Sequence, residues 1–201
     1  MSLTRLPLLR ATIPKVLLSD TFNRADSALT LGNAETGQAW TAEVGTWGVS
    51  SGQAYSASDA GGDRVSADVG TQNIDASLDV VGQVNTNLRF HELLFMSSGA
   101  GAYWRFRLIN SFAEILKFDG ATQTSVASIA HTSTDDVVYR LRIVQRDDCI
   151  VASVNGVTVL GYTLSAAEQA AYTGTRVGIR LGKSGAPSSA ARGDNLLVRA
   201  S

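Results

Sequence analysis

A single cysteine, Cys149, leaves the chain unable to close an internal disulfide, so the fold cannot depend on an oxidising compartment. Cys149 opens the apolar run Cys149-Ile-Val-Ala-Ser-Val154, which reads as a small buried hydrophobe. Only two histidines occur, His91 and His131. Neither stands in a metal-ligand spacing, which argues against a zinc site, and a Ser-His-Asp triad would have to be gathered from distant segments. Charge is scarce: charged residues are 17% of the chain and the net charge is −1. No basic field exists to concentrate nucleic acid or an anionic membrane surface. No run approaches the roughly 20 apolar residues of a membrane span. The first ten residues, broken at Arg5, Pro7 and Arg10, make a poor signal peptide, so a cytoplasmic site of synthesis is expected.

What is present is a chain of 201 residues, 44% apolar, with 19 glycines and 3 prolines. That suits one loop-rich β domain, large enough to bury roughly 70% of its unfolded surface. Residues 1–15 carry Pro7 and Pro14 and show no periodicity, which predicts an extended arm. Its Leu3, Leu6, Leu8, Leu9 and Ile13 would be bare unless another subunit covers them, or unless the arm is an edge strand of its own sheet. From residue 16 onward the signals are those of strands. Asn73 to Val80 alternates strictly between polar and apolar, giving one wet face. In Ala102-Tyr-Trp-Arg-Phe-Arg-Leu-Ile109, Trp104, Phe106 and Leu108 share one face and Tyr103, Arg105 and Arg107 the other. This strand joins Arg89 to Met96 through the Gly-rich Ser97 to Gly101, and Asn155-Gly156 marks a second tight hairpin between Val-rich runs. One short helix is predicted over Ala166 to Tyr172, opened by the capping box Ser165-Ala-Ala-Glu168. Many short strands, regular turns and one helical turn predict an all-β fold, a two-sheet antiparallel β-sandwich spanning residues 16–201.

The ordered set Asp20-Thr-Phe-Asn-Arg-Ala-Asp26, Gly45-Thr-Trp-Gly-Val49, Leu93-Leu-Phe95, Tyr103 to Leu108, Tyr139-Arg-Leu-Arg-Ile143, Val154-Asn-Gly-Val157, Val177-Gly-Ile179 and Asp194 to Val198 resembles the concanavalin A-like lectin/glucanase jelly rolls, particularly the laminin-G-like domains. The likeness runs from about Ser19 to Arg199. Such domains serve as glycan-binding modules, as appendages of secreted enzymes and as bacteriophage tail components. With a proline-broken arm and no disulfide, the resemblance implies a non-catalytic virion structural protein, homo-oligomeric and joined to other virion subunits through its arm. A stand-alone carbohydrate-binding, lectin-like module is the alternative, and a glycoside hydrolase or lyase of the same class a further one.

Catalysis on a glycosidic bond needs two carboxylates flanking it. Glu35, Glu43, Glu92, Glu114 and Glu168 show none of the clustered Glu-Asp-Glu spacing of the laminarinase-type relatives, so no enzyme is expected. The preferred ligand face is Tyr103, Arg105 and Arg107, with Arg89 and His91 from the neighbouring strand, as an aromatic platform with converging polar groups. A plain solvated face or a subunit interface is the competing reading. Asp20 and Asp194 should begin the first and last strands, which in such sandwiches run side by side. With Asn195 they are a candidate Ca²⁺ set, and otherwise turn or capping residues. Arg192-Gly193-Asp194 matches an integrin-binding tripeptide but leads straight into the last strand, which favours a turn.

Overall fold

The computed structural model describes residues 13–58, 62–81, 90–99, 101–109, 111–182 and 191–201. Its strands are β1 (Val16–Asp20), β2 (Thr41–Val44), β3 (Trp47–Ser50), β4 (Gln53–Ser56), β5 (Asp63–Asp68), β6 (Ile74–Val81), β7 (His91–Ser97), β8 (Tyr103–Ile109), β9 (Phe112–Phe118), β10 (Gln123–Ala130), β11 (Tyr139–Arg146), β12 (Cys149–Val154), β13 (Val157–Thr163), β14 (Arg176–Leu181) and β15 (Arg192–Ala200), with one helix, α1 (Ala166–Ala171), between β13 and β14. They form two antiparallel sheets. The first runs β13-β12-β11-β6-β15-β4-β3 with β1 alongside β15, and the second runs β10-β9-β8-β7-β14-β5-β2. The inner faces meet in one core, where Leu78, Ala76, Ile143 and Val198 of the first sheet join Trp104, Phe106, Leu93 and Ile179 of the second. This is the sandwich that the alternation and the turns predict.

Local chemistry explains the elements. In β6, Ile74, Ala76, Leu78 and Val80 are buried while the residues between them are half-exposed, the alternation a one-sided strand requires. Asn155 and Gly156 both take positive φ, 50° and 81°, the left-handed pair that lets a two-residue turn join β12 to β13 without splaying them. Ser165 caps α1 by accepting from the Glu168 amide, and Glu168 reaches back to the Ser165 amide at 2.9 Å. The Glu168 carboxyl, pushed up by burial, is held at about 2 by the Lys117 ammonium, Ser165 and the Tyr162 hydroxyl acting together. Trp104 packs against Tyr162 and Tyr172 with ring centroids 5.4 Å apart in each case, tying α1 and β13 to the second sheet.

Several expectations change. The arm predicted over residues 1–15 falls largely outside the described residues, Leu3, Leu6, Leu8 and Leu9 among them. Ile13 is described and is 89% exposed, whereas the Lys15 carbonyl already accepts from the Ala200 amide at 2.9 Å. Cys149 is exposed, because strand parity turns Ile150, Ala152 and Val154 to the core and Cys149 outward at the hairpin tip. The Arg192-Gly193-Asp194 triplet is the start of β15 and not a turn, paired with β4 and β6.

Candidate functional site

Asp20 is the hub of the first loop. It is fully buried at the end of β1, accepts from the Phe22 amide at 2.8 Å and from the Trp40 indole N–H at 2.7 Å, and pairs with the Arg24 guanidinium. Its carboxylate is therefore spent on protein donors. β1 pairs β15 antiparallel as expected, but Asp20 ends β1 where it was expected to begin it, and stands opposite Leu196 and not Asp194. Asp194 stands opposite Asp79 across β15 and β6. Partial burial pushes its carboxyl up, and Asp79 and Asp20 add to that. Asn195 donates to Asp79 at 3.1 Å. The side chains of the candidate Ca²⁺ set Asp20, Asp194 and Asn195 are thus bonded to protein partners along a strand seam. Among the described residues no group of three or more His, Cys, Asp or Glu could hold a metal ion. Asp20→Ala leaves the indole and the Phe22 amide without an acceptor and should cost about 3 kcal/mol in a denaturant titration; EDTA should leave the wild-type thermal midpoint unmoved.

The outer face of the second sheet is where charge collects. Strand parity puts Tyr103, Arg105 and Arg107 of β8 on it, as the alternation predicts, while Trp104, Phe106 and Leu108 enter the core. Antiparallel register then assembles a charged rung across four strands: Arg180 of β14 faces Glu92 of β7, Glu92 faces Arg107, and Arg107 faces Glu114 of β9. Arg180 donates to Glu92 Oε2 at 2.7 Å and Arg105 donates to the same oxygen at 3.1 Å. Arg107 pairs with Glu114 and lies 3.8 Å from Glu92 Oε1. At the other margin Arg64 of β5 donates to Glu43 of β2 at 3.3 Å, and Arg176 stands 3.8 Å from Glu43. Five guanidinium groups thus face three glutamates.

This array is denser than a solvated sheet face. Glu92 is 0% and Arg105 1% exposed, and Tyr103 is buried as well. The cover comes from long side chains lying flat. The Arg64 guanidinium reaches over the Tyr103 ring, 4.7 Å from its centroid, and donates to the Tyr103 hydroxyl at 3.1 Å. Gly178, on β14 beside β5, sits where the strands approach too closely for a side chain: a Cβ there would fall 2.0 Å from the Val65 carbonyl. Phe118 packs on the far side of Tyr103 with centroids 5.0 Å apart. Arg107, Arg176 and Arg180 keep part of their surface, with side chains 17%, 23% and 14% exposed. Three buried polar atoms here have no hydrogen-bond partner: Glu92 Oε1, Arg105 Nε and Arg180 Nε.

Of the residues chosen from sequence, Tyr103, Arg105 and Arg107 do come together on this face, though Tyr103 and Arg105 form its floor and not an open platform. Arg89 lies outside the described residues. His91 is corrected: it pairs with Leu108, points into the core with Leu93 and Phe95, and is fully buried. Its Nε2 donates to the Val81 carbonyl at 3.1 Å and burial pushes the imidazole down to about 4. The parity that sends Leu93 inward puts Glu92, not His91, beside the arginines. Glu92, Glu114, Arg64, Arg176, Arg180 and Glu43 are the members that sequence reasoning misses; the alternation of β7 alone could have identified Glu92.

No family model matches the sequence, and no curated protein matches it. Solved structures with the same architecture do. The carbohydrate binding module CBM66 of Bacillus subtilis superposes with a TM-score of 0.68 at 14% identity, over 80% of this chain and 94% of that one. A Bacillus subtilis protein of unknown function with a galectin-like fold gives 0.57 at 13%, over 80% and 89%. The GH43 protein BlXynB of Bacillus licheniformis gives 0.63 at 16%, covering 98% of this chain and 42% of that one. At such identities the likeness speaks to architecture, and the chain is a jelly-roll β-sandwich.

Proposed function

We propose that the chain is a non-catalytic carbohydrate-binding module whose glycan surface is the outer face of the second sheet, and that it selects acidic saccharides. The observation that carries this is the excess of guanidinium groups fixed on one sheet face, with Arg107, Arg176 and Arg180 partly open over a buried floor of Glu92, Arg105 and Tyr103. Guanidinium forks match the planar carboxylate of a uronate or sialate and the oxygens of a sulfate ester. Their geometry is set in advance by the ion-pair rung, so little ordering cost falls on binding. The same fold in a carbohydrate-binding module supports the reading. It takes precedence over the virion structural role implied by the sequence resemblance, which none of these fold neighbours supports. Against the glycoside hydrolase alternative, Glu43, Glu92 and Glu114 are each engaged by arginine.

Calorimetry with polygalacturonate, sulfated and neutral polysaccharides tests it. Binding is expected for the anionic polymers, weakening as salt is added. The pair Arg107→Ala and Arg176→Ala together should weaken it by about tenfold or more. Equal binding of neutral polymers, with no effect of the arginine changes, overturns the reading; release of reducing ends from the polymer would replace it with the enzymatic one.

A further inference from the structure

A second polar site lies at one end of the sandwich, away from the arginine face. A cavity of about 400 Å³ opens between the two sheets, where the loop before β6, the β11–β12 turn, the end of β7 and the start of α1 converge. Gln72, Asn73, Gln145, Asp147 and Gln169 supply its polar lining, and Met96 and Leu164 an apolar part. The volume is within the usual range for small-ligand sites.

The lining is unusual in its chemistry. Four side-chain amides and a single carboxylate line the space, with no cation among them; each amide nitrogen makes at least one bond within the wall, Gln169 Nε2 to the Leu164 carbonyl at 3.4 Å among them. An amide offers both a donor and an acceptor, which is what a vicinal pair of sugar hydroxyls needs. Gln145 is 1% exposed, and its Oε1 has no hydrogen-bond partner although its Nε2 donates to the Asp147 carbonyl at 3.0 Å. A buried acceptor left bare costs stability unless something donates to it. The wall around it is held firmly. Asp147, at φ 52°, gives its amide to Asn73 Oδ1 at 2.8 Å and takes the Asn73 amide at 3.3 Å, while Gln72 donates to the Tyr172 and Gly174 carbonyls. Met96 and Leu164 provide the apolar contact that the C–H face of a sugar ring seeks.

We propose that this end cavity binds a neutral sugar unit, as a site separate from the arginine face and independent of it. Guanidinium would suit an anionic ligand; amides around one carboxylate suit an uncharged, hydroxylated one, and Asp147 would repel an acid.

The experiment is an amide-resolved NMR titration of the full chain with glucose, galactose, xylose, cellobiose and lactose, with glucuronate as the charged probe. Chemical-shift changes are expected for the neutral sugars at the backbone amides of Asn73, Asp147 and Gln169 and at the Gln145 side-chain amide. Gln145→Leu should weaken binding by about tenfold, the loss of one hydrogen bond. Should that variant fail to fold, Gln169→Ala on the exposed side of α1 carries the same expectation. The pair Arg107→Ala and Arg176→Ala should leave these shifts unchanged, so failure on the arginine face and failure here are told apart. The proposal falls if no neutral probe moves these resonances at tens of millimolar, if glucuronate moves them as strongly, or if the folded variants bind like the wild type.

Discussion

Glu92→Ala is expected to cost the fold about 3–5 kcal/mol, a large share of the roughly 5–15 kcal/mol that holds a domain of this kind together. Glu92 is fully buried and is the common acceptor for Arg105 and Arg180, with Arg107 close to its second oxygen. Removing it leaves Arg105, itself 1% exposed, with a buried cation and no carboxylate. The cost is that of the stranded charges, not of a lost attraction, because desolvation has already consumed most of the Coulombic gain. Two further variants separate these terms. Glu92→Gln keeps the shape but removes the charge and should also destabilise. Exchanging Glu92 and Arg105 together for methionine should recover much of the loss, since an apolar pair of similar volume carries no desolvation cost. Urea midpoints at constant m-value measure all three. A Glu92→Ala loss below about 1 kcal/mol, the worth of an exposed pair, would mean that the rung is open to water.

Acid should weaken the protein first through His91. Burial holds its imidazole down at about 4, against the ordinary 6.5 of an exposed side chain. As pH falls below 6.5 the unfolded chain binds a proton that the folded imidazole refuses until about 4, so stability declines across that window and levels off beneath it. The gap between the two values is worth about 3 kcal/mol. Glu168 acts lower. Its carboxyl is held at about 2 from an ordinary 4.5, so its contribution is complete above 4.5 and disappears as pH falls toward 2. His91→Gln should flatten the upper decline and leave the lower one in place. Unfolding free energies measured across both windows check this; an unchanged slope between 6.5 and 4 in the variant would remove His91 as its source.

The sandwich was readable from sequence where burial is one-sided. Ile74 to Val80 and Tyr103 to Leu108 announce themselves because one face of each strand is apolar and the other is not, and Asn155-Gly156 and Ser165 to Glu168 act through their immediate neighbours. Asp63–Asp68 gave no such signal. Its Arg64 and Ser66 are buried on the outer face by neighbouring strands, and nothing local says so. The same limit hid most of the candidate face. Arg180 meets Glu92 only because β14 lies between β7 and β5, a consequence of strand order across the whole sheet. Tyr103, Arg105 and Arg107 were found because they share one strand. The end cavity was invisible for a related reason: Gln72, Gln145 and Gln169 come from three distant segments, and isolated glutamines carry no pattern.

The pairing of β1 with β15 has a consequence for how this domain connects to anything else. With the Lys15 carbonyl on the Ala200 amide, chain entering and chain leaving do so at neighbouring points, about one strand spacing apart. A linker of a few residues would bridge that gap, and a new opening at the exposed Asn155-Gly156 turn would cut no sheet pairing of the core. The fold should therefore tolerate permutation, and grafting into a loop of a host protein through a single attachment point would leave the arginine face clear but set the graft beside the end cavity, because Ser201 donates to the Asn73 and Gln145 carbonyls.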